Sequence, residues 1–165
     1  TQRFESNVGT RVRGKILDAV LSENTAVEVV GTHSMARTQS WQEDVRNGMS
    51  ALILQNAGNF KGIWASFDGQ AFIIDDLLKE QGMQKGDVAL VSIDGGPETF
   101  RRIKDPESML TATVAIPFEA MGKAAVDAME RIAVGGEAKE AVTAGPYLYL
   151  NADLVDASNV DQFLN

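Results

Sequence analysis

Cysteine is absent from the 165 residues, which excludes disulfides, thiolate metal sites and thiol nucleophiles. That absence fits a cytosolic and a periplasmic protein equally. Histidine occurs once, at His33, so any catalytic triad or imidazole metal site would have to be built on that residue. No basic run is present. Fifteen Lys and Arg against 23 Asp and Glu leave a net charge of −8, and an acidic chain of this kind argues against a nucleic-acid partner. No apolar run approaches the ~20 residues of a membrane-spanning helix. The first residues, TQRFESNVGT, lack the basic-then-apolar order of a signal peptide, so any targeting segment is expected to be gone already.

What is present is an ordinary globular composition, 44% apolar and 23% charged, with hydrophobic spacing that switches repeatedly between two periods. Val8, Val12, Ile16 and Val20 recur every fourth residue and predict a helix over 9–22 with that stripe turned inward. Short β-branched or apolar runs predict strands over 26–30, 60–65, 87–93, 111–116 and 146–150. Between them, Val45, Met49, Leu52 and Ile53 mark one helix. A second runs from Asp68 through Leu78 to a stop at Gly82. Pro97 starts a short third, and Phe118, Met121, Ala125, Met129 and Ile132 mark a long fourth over 118–134. The tail after 150 reads as loop with a final turn. Strict alternation of helix and strand implies an α/β fold, a three-layer parallel sheet with helices on both faces. The chain opens on a helix, and the strand expected before it is missing from this reading.

In open parallel sheets ligands bind beyond the carboxyl ends of the strands. The segments to weigh are therefore 33–41, 66–70, 94–98 and 116–119. No GxSxG elbow supports a hydrolase, and His33 in a polar loop is expected to be solvated. Neither GxGxxG nor a phosphate-binding GxxxxGK[ST] run occurs, and Pro97 after Gly95-Gly96 removes a donor that a phosphate would need. Asp75 and Asp76 are adjacent and are expected to be solvated on different sides of a helix. No metal or cofactor is called for. The remaining polar and aromatic side chains suit a neutral polyol. Trp41 offers an indole face in a polar loop, Asp94 closes an apolar strand at its ligand end, and Arg11 lies off the apolar stripe of the first helix. Arginine and aspartate together form charge-assisted bonds to hydroxyls.

Three ordered runs carry a further likeness: IWASFDGQAFIIDDLLKEQG, DVALVSIDGGPE and LTATVAIPFEAMGKAAVDAMERI. Together they resemble the periplasmic sugar-binding proteins of ribose-binding type that serve ABC importers. The resemblance implies the type I periplasmic-binding-protein fold, with two α/β lobes closing on a sugar without chemistry. It implies a C-terminal-lobe fragment, with 1–116 as an incomplete sugar-binding lobe lacking its first strand. It makes 117–165 the crossover helix, last strand and tail that would contact an absent N-terminal lobe.

On the matching positions, Arg11 and Asp94 would bond sugar hydroxyls and Trp41 would stack on the ring. Phe67 stands where asparagine is usual and Ile116 where glutamine is common. Two neutral polar contacts thus become apolar, which implies a smaller or less hydroxylated ligand than ribose, such as a deoxysugar or short polyol. The implied partners are that ligand and a membrane permease, the implied location is the periplasm, and bared helix faces would invite self-association. Effector domains of lactose-repressor-type regulators share the fold and form the alternative, although their strand usually closes in Phe-Asp-Asp, against Ile93-Asp94-Gly95 here.

Overall fold

The computed structural model describes residues 1–36 and 38–164. The chain divides into two compact units, Thr1–Val114 with Leu154–Asn165, and Ala115–Asp153. The first unit opens with β1 (Gln2–Arg3), α1 (Val8–Glu23), β2 (His33–Ser34) and α2 (Trp41–Gln55). It continues through β3 (Gly62–Trp64), α3 (Asp68–Glu80), β4 (Ala89–Asp94), α4 (Pro97–Lys104) and β5 (Leu110–Ala115). Strands β1 and β2 pair in parallel, as do β3 and β4. A parallel bridge from Gln2 to Ala65 joins β1 to β3, and the ladder runs on in the order β3-β4-β5-β6, where β6 is Asp153–Asp156. This is the expected parallel α/β architecture.

The core lies where helix stripes meet the sheet. Val45, Met49 and Ile53 recur every fourth residue on α2 and are all buried. Ile74 and Leu78 of α3, Leu90 of β4, Ile103 of α4 and Leu110 of β5 are shielded to within about 1% of exposure. Burying such side chains stabilises each by roughly 1.5–3 kcal/mol. Val155 of β6 is fully buried, and Phe100 meets Phe163 of the closing 3₁₀ turn at 5.3 Å between ring centroids.

Several sequence expectations are corrected. A strand does precede α1, the two-residue β1, held between β2 and β3. The Val8–Val12–Ile16–Val20 stripe of α1 faces solvent; Ile16 is 60% exposed. The buried residues of α1 are Thr10 and Gly14, flanked by half-buried Leu17 and Leu21. Two polar anchors fix that face. Thr10 Oγ1 donates to Phe4 O at 2.5 Å, and Arg3 donates to Asp18. Those local bonds outweigh the apolar periodicity.

Residues 26–30 form no strand, and Val27, Val29 and Val30 are exposed. The pairing falls three residues later, at His33–Ser34. Likewise 146–150 make only a bridge from Ala144 to Tyr147, and the last strand is β6, in the segment read as loop.

Asp75 is fully buried rather than solvated. It accepts bonds from Met109 N at 2.8 Å, Ser108 Oγ at 2.9 Å and Arg102 Nη1 at 2.8 Å. Asp76 stays exposed, as expected. His33 is half-buried rather than solvated, with Nδ1 2.8 Å from Gln2 Oε1.

The second unit holds α5 (Phe118–Met129), which runs into a π-helical turn at Glu130–Val134, and the short α6 (Lys139–Val142). Its apolar residues Phe118, Met121, Val126 and Met129 are exposed, and Ala128 is the buried member of α5.

Candidate functional site

In the first unit the segments after β1, β3 and β4 leave the sheet at the carboxyl ends of parallel strands, where the fold class places ligands. Phe4 follows β1, Ser66-Phe67-Asp68 follow β3, and Asp94 ends β4. Trp41 opens α2 beside them. The indole of Trp41 lies 5.5 Å from the Phe67 ring, tilted by 58°, and Phe67 in turn lies 6.4 Å from Phe4. All three rings are half-buried, so part of each remains available. The close approach depends on Gly69. A Cβ there would stand 3.0 Å from Phe67 and 3.1 Å from Trp41.

Asp94 is half-buried and adopts φ 146°, a left-handed backbone region that L side chains rarely enter and that costs of order 1–3 kcal/mol. Its Oδ1 accepts a bond from Arg13 Nη2 at 2.7 Å, and Arg13 Nη1 donates to Ser66 O at 2.8 Å. One guanidinium therefore ties the β3 turn to the end of β4. Burial raises the Asp94 pKa above the ordinary aspartate value, and the Arg13 bond works against that rise.

Beneath the turn, Asp68 is buried and takes four donors. Oδ1 accepts from Ser92 Oγ at 2.5 Å and Thr113 Oγ1 at 3.0 Å. Oδ2 accepts from Thr99 Oγ1 at 2.5 Å and the Gly95 backbone N–H at 2.8 Å. Its place in the first turn of α3 also suits a carboxylate. Gln70 completes the support, accepting from both Ser66 N and Ser66 Oγ.

The structure therefore brings together Trp41, Phe67 and the turn that carries Asp94. It does not bring Arg11 to Asp94. Arg11 Nη1 donates to Glu5 O at 2.6 Å, and the arginine beside Asp94 is Arg13. The TRVRG run offers both arginines. Arg13 lies three residues from buried Thr10 on the inward side of α1, a side the outward apolar stripe disguises. Ile116 belongs to the second unit and is half-buried there, its carbonyl accepting from Phe118 N. Sequence reasoning also missed Asp68, although it marked 66–70 as a segment to weigh. Among the described residues no group of three His, Asp or Glu is arranged to hold a metal ion.

The chain can also be compared with known families and solved structures by sequence and by fold. The periplasmic binding protein domain aligns with residues 7–137. The chain belongs to this family. No curated protein matches it in sequence.

Solved structures share its fold. An ABC sugar transporter subunit from Rhodobacter sphaeroides 2.4.1 superposes with a TM-score of 0.78 at 22% identity, covering 96% of this chain and 55% of that one. An ABC transporter solute binding protein from Agrobacterium vitis with bound allitol gives 0.74 at 18% identity, covering 98% and 55%. A 5-methylthioribose transporter solute binding protein from Thermotoga lettingae TMO, in complex with 5-methylthioribose, gives 0.74 at 22% identity, covering 92% and 45%. The chain thus spans about half the length of these relatives.

Proposed function

We propose that this periplasmic-binding-protein chain contributes one face of a sugar or short-polyol site in a solute-binding protein of an ABC importer. The observation that carries the reading is the Arg13–Asp94 pair next to the Trp41–Phe67 rings, at the carboxyl ends of parallel strands. A carboxylate accepts from two hydroxyls through charge-assisted bonds, and an indole face covers the apolar C–H side of a ring. Arg13 fixes the carboxylate. Phe67 supplies apolar surface where a fully hydroxylated sugar would need a partner. That favours a deoxysugar or a short polyol over ribose, because a hydroxyl buried without a partner costs about 1–3 kcal/mol. The role is binding and release rather than catalysis. The proposal extends to a periplasmic location, which the family match supports, and to delivery of the ligand to a membrane permease.

A thermal-shift screen of pentoses, deoxysugars and four- to six-carbon polyols tests this reading. A deoxysugar or polyol is expected to raise the melting temperature most. A preference for ribose or galactose would overturn the ligand class, and no response to any sugar or polyol would overturn the site.

A further inference from the structure

Asp94 is the only non-glycine residue with positive φ among those described, and Arg13 alone does not explain how it is held there. The next residue does. Gly95, at φ 81°, turns its N–H onto Asp68 Oδ2 at 2.8 Å, and Asp68 is itself locked into the core by Ser92, Thr99 and Thr113. The two oxygens have separate duties. Oδ1 takes hydroxyls from β4 and β5, whereas Oδ2 takes the α4 hydroxyl and the turn's backbone.

We propose that Asp68 is a positioning residue that sets the left-handed conformation of Asp94 through the Gly95 N–H. It thereby aims the Asp94 carboxylate out of the sheet edge. This rests on the reading of Asp94 as a ligand contact, but the conformational step stands by itself. A backbone N–H can only donate, so the Asp94-Gly95 peptide keeps its orientation only while an acceptor sits at the Oδ2 position. Asparagine can supply that acceptor by turning its carbonyl oxygen to Gly95 and its amide toward Ser92 and Thr113, whose hydroxyls can reverse and accept.

The test is nuclear magnetic resonance on the 165-residue chain without ligand, reading the Asp94 backbone coupling that reports φ and the exchange protection of the Gly95 amide. Wild type should show a small coupling, because φ near 146° sets the amide and α protons almost perpendicular, and a Gly95 amide protected well beyond Gly96. Asp68→Ala should lose both. Asp68→Asn should retain both, and so should Thr113→Val, which removes a bond to the same carboxylate without touching Gly95. A purely structural role would let Asp68→Ala and Thr113→Val lower the melting temperature while leaving Asp94 unchanged, and that result would overturn the proposal. If Asp68→Ala does not fold, a wild-type Gly95 amide that exchanges as fast as Gly96 overturns it equally. Because no sugar enters the measurement, failure of the sugar-binding reading would leave this outcome untouched.

Discussion

Replacing Asp75 by alanine should destabilise the first unit by about 3–5 kcal/mol, the range for removing one partner from a buried, hydrogen-bonded ion pair. The side chain is fully buried, and it is bonded to both α4 and the start of β5. Truncation leaves Met109 N–H and Ser108 Oγ without their acceptor, at about 1–3 kcal/mol for each buried orphan. Arg102 loses its innermost partner. Burial works against the charge on Arg102, and Asp76, Glu98 and Asp75 more than offset it, so its pKa lies above the ordinary arginine value. Because Asp76 and Glu98 remain, the arginine term is partial, and 3–5 kcal/mol is the sum to expect rather than the extreme of every term.

At 2–4 °C per kcal/mol for a chain of this size, the melting temperature should fall by roughly 6–20 °C. Asp75→Asn keeps an acceptor for Met109 but sets an amide against a guanidinium, so about half that loss is expected. Urea unfolding followed by circular dichroism measures both, with the slope against denaturant unchanged. A loss below about 1 kcal/mol for the alanine variant would refute the reasoning that this carboxylate ties α3 to α4 and β5.

Gly48→Ala should cost about 1–3 kcal/mol, because a Cβ there would stand 2.2 Å from the His33 ring, which Gln2 holds in place; thermal unfolding checks it, and an unchanged melting temperature would contradict the packing.

The alternation of elements was legible because buried strands and amphipathic helices write strong periods, as at β4 and α2. Length of pairing was not legible. The valines at 27, 29 and 30 have every mark of a strand, yet the pairing falls on His33–Ser34, a register that only the position of β1 decides. The inward face of α1 was misread because Thr10 and Gly14 bury themselves through bonds and small size, while four aliphatic residues face water. Arg13, on that misread face, was therefore not singled out. The positions of Trp41, Phe67 and Asp94 were legible because they stand directly after strands or at a helix start. Asp68 and Asp75 were not, since nothing in a sequence distinguishes a solvated carboxylate from one that meets several donors contributed by distant elements.

In the proposed site Asp94 and Trp41 hold the same ligand, and the chain's two tryptophans make this measurable. In a Trp64→Phe background, Trp41 is the sole tryptophan, and its emission, excited selectively over the two tyrosines, can be titrated with the best ligand from the sugar and polyol screen. A saturable change is expected, with a dissociation constant on the order of millimolar for this single face, weakened about tenfold or more by Asp94→Ala. A saturable change that is identical with and without the Asp94 carboxylate would contradict it.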